Sequence, residues 1–305
     1  MTGREQVSRN DSAIQRPPLG GRWRVGGSEI VLARPLVMGI LNVTPDSFSD
    51  GGQFADPERA IEHVATMIGE GADIIDVGGE STRPQGARAV GAAEERDRVV
   101  PVVREIVRRF PQAIVSIDTV KAATAEAALG AGAQIVNDVS GFRLDPEMAP
   151  LCARARCGVV LMHSRGDVAT MGTYQLAVYD DVVPAVVREL RASLDAALAA
   201  GIDAEAIALD PGLGFSKRSE HSLAMIAAVP EIVALGRPVL IGASRKRFIG
   251  DLTGVREPSG RQYGTVGANV AALMLGARIF RVHDVAPTRQ AIDVAWAVMQ
   301  AAPGR

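Results

Sequence analysis

Polar and ionisable side chains recur at one kind of place along this chain, the last residue or two of short apolar runs. They are Asn42, Asp76, Asp118, Asn137 with Asp138, His163, Asp210, Ser244 with Lys246, and Arg281 with His283. The beginnings of the same runs lack the pattern. Any one of these residues has an ordinary structural explanation: Asp76 and Asp138 suit a strand-end carboxylate bonded to a loop backbone, and His163 suits a satisfied core histidine. As a set they are harder to dismiss, because several buried carboxylates and amides need partners and a polar ligand supplies them together. Asp118, Asn137 and Asp210 offer acceptors and an amide, matching the adjacent N–H donors of a flat amino-pyrimidinone edge. Lys246 would donate to a ring carbonyl or ring nitrogen. Arg281 and His283 occupy alternate positions of the last run, so with Asn42 they suit an anion such as phosphate.

The apolar runs that carry these residues read as strands: LVMGILN, DIIDVGG, AIVSID, QIVNDV, GVVLMHS, AIALD, PVLIGAS and RIFRVHDV. Between them lie Ala-rich segments of helical spacing: 57–69, 94–110, 121–131, 146–156, 180–200, 219–235, 264–275 and 287–299. Asp56 and Pro57 make an N-cap and first-turn pair. Gly71, Gly132, Gly201 and Gly236 follow helix ends, where a left-handed residue is wanted. Continuous apolar strands alternating with helices imply a parallel sheet covered on both faces. Eight such units predict an α/β fold of the (β/α)8 TIM-barrel kind, with an open doubly wound sheet as the alternative. No G-x-G-x-x-G follows the first strand, which counts against a dinucleotide fold. Trp23 to Leu32, with Gly26-Gly27 at its centre, reads as a β-hairpin capping the barrel. Residues 1–21 are polar and aperiodic and read as a disordered tail. The span 22–305 then reads as one barrel domain.

Three loops add to the mouth that such a barrel would have. Pro45 to Gly52 after the first strand is polar and Gly-hinged, with Phe48 as either a plug or a lid over a flat substrate. Gly78-Gly-Glu-Ser-Thr-Arg-Pro84 follows the second strand, and Asp210-Pro-Gly-Leu-Gly-Phe-Ser-Lys217 displays Phe215 beside a strand-end aspartate. Composition narrows the classes. With 33 Lys+Arg against 35 Asp+Glu, the chain has no nucleic-acid footprint and no basic membrane patch. Cys152 and Cys157 are too few for a disulfide framework and read as buried small residues. No apolar run is long enough to span a membrane and no signal peptide is evident, so a cytoplasmic protein is expected.

Taken in order, NVTPDSFSDGG, GGESTRP, SID, NDVSG, DPGLGF, GASRKRF and RVHDV resemble dihydropteroate synthase from about Trp23 to Val298. The resemblance implies a transferase of folate biosynthesis. In that reaction 4-aminobenzoate displaces diphosphate from (7,8-dihydropterin-6-yl)methyl diphosphate to give 7,8-dihydropteroate. It also implies roles. Asn42 would ligate Mg²⁺, Thr82 would contact the pterin diphosphate, and Asp118, Asn137, Asp210 and Lys246 would hold the pterin, with Met162 packed on it. Arg281 and His283 would bind diphosphate, and Asp50 would stabilise the cation on the exocyclic methylene. Phe48, Arg83, Pro84, Phe215 and Ser244 would form the 4-aminobenzoate side, where sulfonamides would compete. Gln85 and Ser222 depart from the family pattern. The family implies a homodimer through the last helices, with Leu273 and Met274 available. A methyltransferase-type pterin domain and a non-catalytic paralogue are the competing readings. The intact Asn42, Asp50, Lys246 and His283 argue against the second.

Overall fold

The strands fall on the β-branched runs, and the order in which they pair closes them on themselves. A computed structural model describes residues 21–44, 57–80 and 90–301. A hairpin comes first, β1 (Arg22–Val25) and β2 (Ser28–Val31), antiparallel about Gly26 and Gly27, both at positive φ. Then follow β3 (Leu36–Asn42), α1 (Pro57–Gly69), β4 (Ile74–Gly78), α2 (Ala92–Arg109), β5 (Ile114–Asp118), α3 (Ala122–Gly130), β6 (Ile135–Asp138) and α4 (Met148–Ala155). The second half holds β7 (Gly158–Met162), α5 (Val182–Ala199), β8 (Ile207–Asp210), α6 (Ser219–Ala227), α7 (Val229–Val233), β9 (Leu240–Ile241), α8 (Arg247–Thr253), α9 (Gln262–Leu275), β10 (Ile279–Val282) and α10 (Val285–Ala301).

The large sheet runs β8-β7-β6-β5-β4-β3-β10-β9 with every adjacent pair parallel. A single parallel bridge, Leu209 to Val239, joins its two edges. The fold is therefore the eight-stranded α/β barrel, not the open sheet.

Strand periodicity of two decides which side chains face inward. In β5, Val115 and Ile117 join the large core between sheet and helices, so Ser116 and Asp118 face the lumen. In β4, Ile75 and Val77 point outward and Asp76 inward, buried. Lower in the lumen, Leu36, Met38, Ile74, Ile135, Val160, Ala208, Leu240 and Ile279 make a second apolar cluster with Trp23, Val25 and Leu32 of the hairpin. The hairpin thus plugs the end where strands begin. Trp23 is fully buried there and its Nε1 donates to the Ala206 carbonyl at 2.9 Å.

Several expectations shift. The segment 219–235 breaks at Ala228 into α6 and α7, because Pro230 has no N–H to continue the first helix. Helix α8 was not foreseen, and the strand expected from PVLIGAS shrinks to two residues. The N-cap of α5 is Asp181, whose carboxylate accepts from Val183 N at 3.2 Å. Asp56, the cap assigned to α1, lies outside the described residues. The four glycines placed after helix ends all take positive φ. Cys152 and Cys157 are buried and free.

Candidate active site

Register sets the levels of the mouth. Gly78 pairs with Asp118, and Asp118 with Asn137; further round, Met162 pairs with Asp210. Arg281 enters from the last strand and lies across two carboxylates. Its Nε donates to Asp76 Oδ2 at 2.6 Å and its Nη2 to Asp118 Oδ2 at 2.6 Å. Asn137 Nδ2 donates to the same Asp76 oxygen at 3.0 Å. Asp76 therefore bonds neighbouring side chains, not a loop backbone as expected. Asp138 does hold a loop: its Oδ1 accepts from Ser140 N and Ser140 Oγ, each at 2.6 Å. Burial opposes the charge on Arg281, but Asp76 and Asp118 outweigh it and the pKa rises. Burial pushes Asp118 up to about 7, with Arg281 pulling the other way.

The opposite wall carries Asp210 and Lys246. Asp210 Oδ1 accepts from Gly212 N at 2.7 Å, and burial raises its pKa while Lys246 counters. Gly212 is required here: it has φ +66°, and any Cβ would collide with the His163 carbonyl. The Lys246 ammonium donates to the Leu213 carbonyl and stands 4.6 Å over the Phe215 ring. Burial lowers its pKa to about 8. Phe215 packs in turn against a small cluster of Val120, Val139, Met162 and Met171.

Lys246 reaches this place through Arg245, a non-glycine residue at φ +57°. That strained turn is fastened by a bidentate pair to Asp284, 2.9 and 2.6 Å, and by Arg245 N donating to Thr265 Oγ1 at 3.0 Å. Beside it, Ser244 Oγ lies 2.9 Å from His283 Nδ1 and accepts from His283 N at 3.1 Å. Arg281 and His283 thus sit near each other in sequence but engage different groups, the carboxylates inside and Ser244 at the rim.

Asn42, at the tip of β3, faces the same gap as Asp118. A Cβ on Gly78 would come within 3.9 Å of Asn42 Oδ1 and 3.7 Å of Asp118 Oδ2. Among the described residues no cluster of three acidic, His or Cys side chains is arranged to hold a metal ion. One amide oxygen suits a Mg²⁺ that keeps its waters and arrives with a substrate's phosphates, not one held in a protein cage. Phe48, Asp50, Thr82, Arg83, Pro84 and Gln85 lie outside the described residues.

Sequence reasoning gave no role to Lys217, Glu189 and Arg165. His163 is buried, with Nε2 2.9 Å from Glu189 Oε2 and Nδ1 2.7 Å from Lys217 Nζ. Arg165 pairs with the same glutamate at 2.5 and 3.1 Å. The available signal was a lysine two residues beyond Phe215, inside a loop otherwise made of small and apolar residues. Ser222, one of the departures, fastens that loop: its Oγ accepts from Gly214 N and donates to the Arg218 carbonyl, each at 3.1 Å.

The mouth thus gathers two carboxylates on an arginine, an amide, a third carboxylate and a lysine. The family described as pterin binding enzyme matches residues 38–283. A dihydropteroate synthase of Mycobacterium leprae is 48% identical over 277 residues, covering 89% of this chain and 96% of that protein. A Xanthomonas albilineans dihydropteroate synthase solved with 4-aminobenzoic acid is 44% identical with a TM-score of 0.86, covering 93% of this chain and all of that one. The Xanthomonas albilineans enzyme in complex with 7,8-dihydropteroate is 42% identical with a TM-score of 0.82, covering 92% of this chain and 100% of that one. The chain belongs to the dihydropteroate synthase family.

Proposed function

We propose that this chain condenses (7,8-dihydropterin-6-yl)methyl diphosphate with 4-aminobenzoate, releasing diphosphate and 7,8-dihydropteroate for folate biosynthesis. The observation that carries the reading is the mouth itself, where Arg281 bridges Asp76 and Asp118, Asn137 bonds Asp76, and Asp210 stands with Lys246 on the facing wall. Those groups complement an amino-pyrimidinone: carboxylates accept its N–H donors, and the ammonium donates to its carbonyl or ring nitrogen. Met162 would pack on the ring, and Phe215, packed against the same cluster, would turn toward 4-aminobenzoate. The 4-aminobenzoic acid and 7,8-dihydropteroate of the two Xanthomonas albilineans structures support the same arylamine substrate and product here.

In the reaction the bond between the exocyclic methylene and the diphosphate oxygen breaks, and the electron pair leaves with diphosphate. The pterin ring delocalises the resulting cation, and the arylamine nitrogen then forms the new C–N bond and loses a proton to solvent. An aniline nitrogen is unprotonated at neutral pH, so it needs position more than a base. His283 and Arg281 would bind the diphosphate as it leaves, Arg281 reaching it from beside Asp118, to which its Nη2 donates. Asn42 would supply one oxygen to Mg²⁺, which would neutralise charge on the diphosphate. Thr82 is assigned to the pterin diphosphate, and Asp50 to the cation on the exocyclic methylene. Phe48, Arg83, Pro84 and Ser244 join Phe215 on the 4-aminobenzoate side, where a sulfonamide should compete.

The testing experiment is product formation from both substrates by wild type and Lys246→Ala. Wild type should yield dihydropteroate, and Lys246→Ala should lose about 10²–10³-fold in kcat/KM, as loss of one preorganised donor does. Chelation of Mg²⁺ should stop turnover. Sulfonamide inhibition should be relieved by added 4-aminobenzoate. A wild type that binds pterin and releases no diphosphate would sink the reading.

Residues 22–305 are assigned to one pterin-binding domain after a tail at 1–21, in a cytoplasmic homodimer. No helix among the described residues is long and apolar enough to cross a membrane. The dimer draws support from α9 and α10, which expose Tyr263, Met274, Val294 and Val298. Leu273, named with Met274 as an interface candidate, is instead fully buried in the core.

A further inference from the structure

We propose that Lys217 is a positioning residue, which through His163 and the backbone of the β8–α6 loop sets Phe215 and Lys246 at the barrel mouth. The inference rests on the functional reading above. Lys217 is among the largest wholly buried side chains of the protein, at 1% exposure, in a position that the reaction does not use. A lysine is buried at a cost unless its three donors are met. Here they are: Nζ lies 2.7 Å from His163 Nδ1, 3.2 Å from the Phe215 carbonyl and 3.4 Å from the His163 carbonyl. Burial drives its pKa well down, with Asp210 opposing.

Behind His163 the chain of partners continues outward to Glu189 and Arg165, so amine, imidazole, carboxylate and guanidinium follow one another. Burial also lowers His163, to about 4, which keeps the ring neutral, with Nδ1 facing Lys217 Nζ and Nε2 facing the Glu189 carboxylate. Lys217 Nζ therefore ties the end of β7 to the loop after β8.

The loop needs such a tie. Gly212, Gly214 and Ser216 all have positive φ, and Ser216, at +47°, pays for it with a Cβ. Ser216 is held at Met171 and Arg165: its N donates to the Met171 carbonyl at 2.7 Å, and its Oγ donates to the Arg165 carbonyl at 2.8 Å. Lys217 holds the next carbonyl back, that of Phe215. What the loop delivers from this bend are the two contacts on Lys246, the Leu213 carbonyl and the Phe215 ring. A buried staple placed directly behind both contacts controls where the 4-aminobenzoate wall and the pterin lysine stand.

Steady-state kinetics on wild type, Lys217→Met, Phe215→Ala and the double variant tests this. Lys217→Met should raise KM for 4-aminobenzoate about tenfold, with kcat within about threefold. In the Phe215→Ala background the same substitution should change that KM less than about twofold, because the ring it positions is gone. A KM unchanged by Lys217→Met, or raised by the same factor in both backgrounds, overturns the inference and leaves a stability role. If Lys217→Met does not fold, His163→Gln removes the ring that the ammonium meets and should show the same non-additivity with Phe215→Ala; additive effects there overturn it equally. A wild type that makes no dihydropteroate overturns the functional reading and this inference together. A wild type that turns over, with additive variants, overturns the inference alone.

Discussion

Asp118 and Lys246 face the mouth in opposite protonation regimes. Burial pushes the carboxyl up to about 7 and the amine down to about 8. Binding a pterin edge wants the first ionised and the second protonated. The kcat/KM for pterin diphosphate should therefore rise as pH passes about 7 and fall above about 8, since this ratio reports groups on the free enzyme. Asp118→Asn should abolish the acidic limb. A profile flat across that interval would remove both residues from pterin recognition. Stability runs the other way for Asp118. Its folded pKa lies above its unfolded one, so its contribution is complete below the ordinary carboxylate range and is lost as pH rises through about 7. Ionised Asp118 thus lowers the stability of the ligand-free protein, at the position proposed for the pterin edge.

At the scale of elements, the hairpin β1–β2 and the strand ends divide the labour of the barrel. Trp23 and its companions close one end with apolar contacts, and the other end stays polar. Trp23→Ala should cost about 3–5 kcal/mol of stability, as truncating a buried tryptophan does, and leave both KM values unchanged. A changed KM with unaltered thermal unfolding would mean that the hairpin reaches the mouth. The strand ends were legible in the sequence because residue type and period coincide there. Asp118, Asn137 and Asp210 break apolar runs at positions that only a lumen-facing side chain could occupy. The relay of His163, Glu189 and Lys217 was not legible. Glu189 sits in the amphipathic α5, where a glutamate reads as a solvent charge, and Lys217 reads as an ordinary loop lysine. Tertiary packing alone brings the two to one imidazole, Lys217 buried and Glu189 one-third exposed. Nor was the shortening of β9 legible, since the left-handed turn at Arg245 depends on Asp284, far along the chain.

At the scale of the whole molecule, the outward faces of α9 and α10 carry an apolar strip that core packing does not use. Met274 is 57% exposed and Val298 65%. Replacing both by glutamate should shift the protein from dimer to monomer in sedimentation, with little loss of folded content. A wild type that sediments as a monomer would end the dimer proposal. The barrel's closure has a further consequence, for how the molecule breathes. Strands β4 and β5 are laddered on both sides over four or more residue pairs on at least one flank, whereas β9 has two residue pairs on one side and a lone bridge on the other. Local opening follows the sparsest hydrogen bonding. In deuterium exchange, amides at 239–241 should label at least about tenfold faster than those at 74–78 and 114–118. That would make the seam the hinge line along which the staves part, leaving β3 to β7 as a persistent curved sheet.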